Sequence, residues 1–254
     1  MTDGLPNRLH SEWLRVHRVR RRTPVGNAVM PPTNSSQACP LCHGRQSTNF
    51  HQDQQRPYRR CRVCRLVFVP SVYHLAPPAE KAEYDRHQNR TDDAGYRRFL
   101  FRLAGPLGAR LASGSRGLDF GSGPGPVLAA MLEAAGHAVS LYDPFYAADP
   151  AVLTARYDFV TATEVVEHLR RPGAELERLY RLLKPGGLLG IMTKRVIDRE
   201  RFARWHYIRD PTHICFFSRE TFIWLADRWC ARLDIVDRDV IIIEKPAGNR
   251  DRGR

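Results

Sequence analysis

Residues 117–125 read Gly-Leu-Asp-Phe-Gly-Ser-Gly-Pro-Gly: a short apolar run ends in Asp119, and glycine then occupies every second position at Gly121, Gly123 and Gly125. Without a Cβ, such a stretch can turn sharply off a strand and lie close against a ligand. Pro126 suits a first helical turn, where its missing N–H costs nothing. Val127-Leu-Ala-Ala-Met-Leu then continues with a helical apolar face. Strand, glycine loop and helix in this order predict a nucleotide cradle at the start of an α/β domain.

The spacing excludes two common cradles. A dinucleotide fingerprint needs G-x-G-x-x-G/A; counted from Gly121 the sixth position is Pro126, and counted from Gly123 it is Leu128. No Gly-Lys-Ser/Thr follows, so a phosphate-binding P-loop is excluded as well. The pattern D-x-G-x-G-x-G resembles the first motif of class I methyltransferases, which bind S-adenosylmethionine. Three further segments stand in the matching order. Ala138–Asp143 is an apolar run ending in an acid, Tyr157–Leu169 resembles the family's "YD…EVVEH" segment, and Leu182–Met192 resembles its "LLKPGG" segment. The resemblance spans residues 117–193.

The resemblance implies an α/β, Rossmann-like class I methyltransferase sheet with helices on both faces. It implies that Asp119, Gly121, Gly123 and Gly125 hold the methionine end of S-adenosylmethionine, with Ser122 in the same loop. Asp143 follows Asp119 by 24 residues, and a carboxylate at that strand tip can accept hydrogen bonds from a ribose diol. Thr163 and Glu164 are expected beside the methyl-donor pocket. Only 13 residues separate Asp143 from Tyr157, where many relatives place a third strand and a helix; a short strand or turn fits there, but hardly a full helix. Phe145 and Tyr146 are candidates to pack on the adenine ring, with ordinary core packing as the alternative.

A second pattern lies upstream. Cys39-x2-Cys42 and Cys61-x2-Cys64 stand 18 residues apart, a spacing that reads as a zinc site. Four thiolates close a tetrahedral structural Zn2+ and leave no open position. A pair of disulfides is the alternative, disfavoured in a reducing compartment. Cys215 and Cys230 sit among bulky apolar residues and are expected as inert core thiols. Arg45, Arg56, Arg59, Arg60, Arg62 and Arg65, with Tyr58 and Phe68, give the ribbon the makings of a single-strand nucleic-acid platform, or simply a solvated charged face. Similar zinc modules precede the methyltransferase domain in deoxysugar C-methyltransferases and in certain ribosomal RNA guanine methyltransferases, but neither is matched over its whole length.

Methyl transfer from a sulfonium is an in-line displacement in which the enzyme mainly aligns the acceptor. A base is needed only where the acceptor must lose a proton. Candidate bases fall in two places. Glu164 and His168 are four residues apart, which on a helix puts them on one face; Thr161-x-x-Glu164 also has the form of a capping box. The segment Trp205–Ser218 is dense in polar groups, with His206, Tyr207, Arg209, Asp210, Thr212 and His213. His206, His213 and His168 are the candidate catalytic residues, with hydrogen-bonding and packing roles as the alternative.

The chain has 254 residues and a formal net charge of +13, carried by 36 Arg and 4 Lys. That charge admits a nucleic-acid partner but also reflects a strong arginine skew. The expected organisation is a disordered basic lead (1–37), a zinc ribbon (38–70), a helical connector or cap (71–114), the cofactor-binding domain (115–243) and a disordered tail (244–254). No apolar run reaches a membrane span of ~18 residues, no secretory signal is recognised, and the expected compartment is the cytoplasm. The expected acceptor is a small molecule. The alternatives are an RNA acceptor and a non-catalytic cofactor-binding scaffold. Oligomeric state is left open.

Overall fold

The computed structural model describes residues 37–86 and 93–248. The expected lead, apart from Gln37, and residues 249–254 of the expected tail lie outside the described residues. The strands are β1 (Ser47–Gln52), β2 (Pro57–Cys61), β3 (Val67–Phe68), β4 (Arg116–Phe120), β5 (Ala138–Tyr142), β6 (Tyr157–Thr163), β7 (Leu183–Met192), β8 (Cys215–Phe216), β9 (Arg232–Ile235) and β10 (Val240–Glu244). The helices are α1 (Pro77–Tyr84), α2 (Ala94–Gly108), α3 (Val127–Ala134), α4 (Pro172–Leu182), α5 (Arg199–Ala203) and α6 (Arg219–Arg228).

The main sheet has the order β5-β4-β6-β7-β10-β9. Strands β5, β4, β6 and β7 run parallel, while β10 is antiparallel to both its neighbours. Side chains alternate between the faces, as strand geometry requires. Leu188, Met192, Val240 and Ile242 pack with α2 and α3; Leu189, Ile191, Ile241 and Ile243 pack with α4 and α6. Helices therefore cover both faces, the Rossmann-like arrangement that the resemblance implied. The short Asp143–Tyr157 connection holds only a 3-10 turn at Pro150–Thr154 and no strand of the sheet.

Close packing depends on one glycine in β4. A Cβ on Gly117 would lie 2.0 Å from the Phe159 ring, which is fully buried. Gly117→Ala forces the ring or the strand to move, and overpacking of this kind costs about 1–3 kcal/mol. Chemical denaturation should show a lower midpoint at unchanged slope; an unchanged midpoint would contradict this packing.

The small sheet does not stand apart. Its order is β1-β2-β3-β8, so a strand from beyond the main sheet's β7 completes it. Val67 pairs with Phe216 and Phe68 with Cys215. The two sheets share one apolar cluster, from Cys39, Leu41, Tyr58 and Phe68 through Phe202 and Phe216 to Leu176 and Leu179. At Gly173, in the first turn of α4, an added Cβ would lie 2.3 Å from the Leu41 carbonyl oxygen, and Gly173 N donates to Pro40 O at 3.2 Å. The first cysteine turn thus sits directly on the start of α4.

Several expectations need correction. The helical connector expected over 71–114 holds two separate helices, α1 and α2, with residues 87–92 outside the described residues. Pro77 and Pro78 open α1, and the Asp93 side chain caps α2 by accepting from Gly95 N and Tyr96 N. The expected tail begins too early: Lys245 N donates to Gly187 O at 2.9 Å, and Lys245 Nζ donates to Leu183 O at 2.8 Å. Cys215 is buried as expected, but Cys230 is exposed, because α6 ends at Arg228 and Cys230 turns away at φ +47°.

Candidate functional site

Strand order reverses between β5-β4 and β4-β6, and in such sheets ligands bind outside the carboxyl ends of the strands at that point. Four loops meet there: residues 121–126 after β4, 143–146 after β5, 164–168 after β6 and 193–195 after β7. Gly121 (φ +76°) and Gly123 (φ +64°) both take left-handed conformations, which glycine reaches without a Cβ penalty. Gly121 N donates to Tyr142 O at 2.7 Å. A Cβ at Gly121 would lie 2.4 Å from Val165 Cγ2, whereas one at Gly123 would meet nothing within 4 Å. The glycine loop is therefore tight on the protein side and open on the other.

Two acids flank this loop, and one of them fixes it. Asp119 is 4% exposed and accepts from Thr161 Oγ1 at 2.7 Å. Burial pushes its carboxyl up to about 6, against the pull of the Thr161 hydrogen bond. That bond excludes the capping-box reading of Thr161, which lies inside β6 and faces Asp119. Asp143 accepts from Gly123 N at 3.0 Å, Phe145 N at 2.8 Å and Tyr146 N at 3.2 Å. A carboxylate offers about four acceptor directions, so one remains for an outside donor.

Glu164 is the strained residue of the site, at φ +53°, where a side chain other than glycine is uncommon. Its backbone N–H reaches Met192 O at 2.7 Å, which ties the turn after β6 to the end of β7. Consequently Glu164 and His168 do not share a helix face: the segment Val166–His168 is a single 3-10 turn. Burial, and then the Glu167 charge, push the Glu164 carboxyl well above the usual carboxylate range. Ser122 Oγ, Thr163 Oγ1 and Glu164 Oε1 are buried with no hydrogen-bond partner. Ser122 and Glu164 lie in the loops after β4 and β6, and Thr163 is the last residue of β6.

Helix α1 lies over the same edge. The Tyr84 ring is 5.8 Å from Phe145 and 5.3 Å from His168. Tyr146 OH donates to Asp85 at 2.6 Å, and Arg170 pairs with Glu80 at 2.7 Å. Tyr146 is thus already engaged by α1, while Phe145 remains 37% exposed.

The segment 205–214 brings a second polar cluster to this edge. Glu167 is wholly buried and accepts from Thr193 Oγ1 at 2.9 Å and Tyr207 OH at 2.5 Å. His213 is 8% exposed, with Nδ1 2.7 Å from Tyr207 O. Burial, together with the His168 ring beside it, lowers His213 to about 4. An imidazole that releases its proton so readily is a weak base, and the contact of Nδ1 with Tyr207 O ties this ring to the loop. His168 keeps 18% of its side chain exposed, and Lys194 Nζ donates to His206 Nε2 at 3.1 Å. Lys194 also lies 5.2 Å over the Tyr207 ring, and its charge opposes the upward shift of Glu164. Sequence reasoning missed Lys194; its signal was a charged residue immediately beyond the apolar run of β7.

The four ribbon cysteines are free thiols whose sulfurs lie within 4.8 Å of one another. Cys39 and Cys64 are 3.5 Å apart and Cys42 and Cys61 3.4 Å, far beyond a disulfide bond of about 2.05 Å. A tetrahedron with 2.3 Å metal–sulfur arms has edges of about 3.8 Å, so the donor set fits zinc. The two turns mirror each other. Cys39 N donates to Gly44 O and Cys61 N to Leu66 O, both at 2.9 Å. His43 and Arg65 take φ of +61° and +64°. Gly44 N and Val63 N point at Cys42 Sγ and Cys61 Sγ, each at 3.4 Å. N–H groups aimed at sulfur favour the thiolate form that a metal needs.

The ribbon's basic face is smaller than the sequence implied. Arg56 is 5% exposed and donates to the carbonyls of Ile208 (3.0 Å), Asp210 (2.7 Å) and Pro211 (2.9 Å). Tyr58 OH lies 3.2 Å from the same Ile208 carbonyl. Arg59 is turned onto Ser47, and Arg60 stacks over Phe50. Among the described residues no helix is long and apolar enough to cross a membrane.

Comparison with known proteins bears on this edge. No curated protein matches the chain. Among solved structures, the 1,6-didemethyltoxoflavin-N1-methyltransferase of Burkholderia thailandensis is similar at 20% identity, covering 77% of this chain and 98% of its own, with a TM-score of 0.48. The N-methyltransferase NodS of Bradyrhizobium japonicum is similar at 16% identity, covering 61% and 99%, with a TM-score of 0.42. A complex of the Trm112 methyltransferase activator and a methyltransferase from Haloferax volcanii is similar at 12% identity, covering 67% and 95%, with a TM-score of 0.39. A family model described as a methyltransferase domain matches residues 87–229. That match spans more than half of the chain and holds the glycine loop, Asp143 and the loop at 205–214, and the protein belongs to this methyltransferase family.

Proposed function

We propose that the protein transfers the methyl group of S-adenosylmethionine to a small-molecule acceptor, with a structural Zn2+ held by Cys39, Cys42, Cys61 and Cys64. Family membership supports the donor. The observation that carries the reading is the trio of buried, unpartnered atoms, Ser122 Oγ, Thr163 Oγ1 and Glu164 Oε1, around an open glycine loop. Buried polar groups are rarely left without a partner, so their orphaned state fits a polar ligand.

S-adenosylmethionine supplies an electrophilic methyl group on sulfur. Gly121, Ser122, Gly123 and Gly125 form the cradle for its methionine end, and the Asp119 carboxylate holds the ammonium. Asp143 accepts from one ribose hydroxyl through its remaining acceptor direction. Phe145 is the exposed ring beside it. Glu164 and Thr163 border the donor pocket, and α1 excludes water from above. The acceptor lies toward His168, His206 and Lys194, where aligned groups lower the barrier by placement. A compact loop backed by Tyr207 and Trp205 suits a small molecule. The burial of Arg56 removes one of the arginines an RNA platform would use.

Calorimetry with S-adenosylmethionine tests the reading: wild-type protein should bind it, and Asp143→Ala should lose at least about tenfold in affinity, the equivalent of one charged hydrogen bond. Equal affinity in the two proteins would contradict the assignment. Asp119 gives the binding a pH dependence. Its folded value of about 6 lies above the ordinary 3.8, so the ligand-free fold holds a proton that the unfolded chain releases. Stability without ligand therefore falls as pH rises between those values. An ammonium needs the ionised carboxylate, so the dissociation constant should rise by up to about tenfold per pH unit below 6. A flat profile between pH 5 and 8 would remove Asp119 from the ammonium site.

A further inference from the structure

We infer that Glu167, His168 and His213 form a second metal site, for one divalent transition ion, beneath the loop at 205–214. One ligand atom from each residue lies within 4.8 Å of the other two. Two imidazoles and one carboxylate are a donor set that takes Fe2+, Mn2+ or Zn2+ and leaves coordination positions open. This site shares no residue with the four-cysteine cluster, which is closed by its own sulfurs.

The hydrogen bonds of the two rings decide which nitrogens are available. His213 Nδ1 lies 2.7 Å from Tyr207 O, and His168 Nδ1 lies 3.3 Å from Thr212 O. A carbonyl can only accept, so each Nδ1 carries the hydrogen. Each neutral ring then presents its Nε2 lone pair. Those lone pairs face carboxylates: His168 Nε2 is 4.0 Å from Glu167 Oε1, and His213 Nε2 is 3.7 Å from Asp210 Oδ2. A lone pair opposite a carboxylate is repulsive unless a positive charge lies between them. Protons on both rings would supply one, but the ring centroids are only 4.7 Å apart, and two buried imidazolium ions would then repel each other. One divalent ion shared by the two rings and Glu167 would supply that charge, with Asp210 beside the His213 ring.

The surroundings fit that ion. Glu167 is fully buried, and among the described residues its one ion-pair contact within 4.0 Å is His168. Burying a carboxylate without a matched charge is costly. The hydroxyls of Thr193 and Tyr207 hold its two oxygens, and the carbonyls of Tyr207 and Thr212 hold the two rings. Outer partners of this kind orient metal ligands. The ligands come from the turn after β6 and from the 205–214 loop, which Ile214 N joins by donating to Glu167 O at 2.9 Å. The ion would clamp that loop to the edge of the sheet. His168, the least buried of the three, marks the side on which open positions reach the cleft. An acceptor oxygen taking such a position is the one step that rests on the methyltransferase reading; the metal site itself does not.

The test is a Co2+ titration of the full chain after its cysteine site has been filled with zinc, read by visible absorption and by metal analysis after gel filtration. The expected result is about one further equivalent of metal, with the weak visible bands of nitrogen and oxygen ligation and no intense thiolate charge-transfer band. Glu167→Gln and His168→Gln should each weaken this second equivalent by about 10–100-fold while keeping the zinc. S-adenosylmethionine binding and thermal melting report whether the variants fold. Wild-type protein that takes no metal beyond the zinc overturns the site, whether or not the variants fold. So does a second equivalent that persists unchanged in both folded variants.

Discussion

Gly121→Ala should weaken S-adenosylmethionine binding by at least about 30-fold. The left-handed backbone at φ +76° costs an L-residue about 1–2 kcal/mol. The new Cβ also meets Val165 Cγ2 at 2.4 Å, an overpacking worth a further 1–3 kcal/mol or so. Val165 follows Glu164 directly, so the clash is passed to the strained turn that borders the proposed donor pocket. Gly123→Ala is the informative companion. At φ +64° with nothing within 4 Å of an added Cβ, it should cost the ligand-free protein only the backbone strain. Any loss of binding beyond that strain measures how closely the cofactor approaches Gly123. Calorimetry on both variants checks the pair; a Gly121→Ala protein that binds like wild type would contradict the loop's role.

Removing metal from the four cysteines should damage the loop at 205–216 more than the glycine loop. Structural zinc is worth on the order of 10 kcal/mol at neutral pH, and the four-cysteine module that the proposed ion would close holds that loop in three ways. Strand β3 pairs with β8, Arg56 donates to three loop carbonyls, and Tyr58 OH lies against one of them. Chelation, or Cys61→Ser, should therefore raise amide hydrogen exchange across 47–68 and 206–217 while 117–125 stays protected. Methyl transfer should fall by a larger factor than cofactor affinity. Uniform loss of protection would mean that the ribbon supports the whole fold, and unchanged exchange at 206–217 would mean that the loop stands without it.

The parts legible in the sequence are those fixed by neighbouring residues. Gly121 and Gly123 were readable because a turn off a strand needs φ values that few other residues tolerate. The cysteine turns were readable because two ligands three residues apart fit one metal, and the sulfurs do converge. The missing helix before Tyr157 followed from chain length alone, whereas the same length left a short strand open and the chain forms only a 3-10 turn there. Features set by distant contacts were not readable. The helix expected through Glu164 and His168 is broken by a bond from Glu164 N to Met192 O and another from Ile214 N to Glu167 O. Arg56 read as a surface charge because its partners lie 152–155 residues away along the chain. The buried contacts of Glu167 with Thr193 and Tyr207 likewise join three separate segments. Cys230 misled because the apolar residues next to it in sequence lie on α6, and the residue itself lies past the helix end.

The most direct measurement is transfer of labelled methyl from S-adenosylmethionine into a cell extract that is then separated into RNA, protein and small-molecule fractions. The account predicts label in the small-molecule fraction, abolished by Asp143→Ala. Label confined to RNA or protein, or no label from a protein that binds the cofactor, would contradict it.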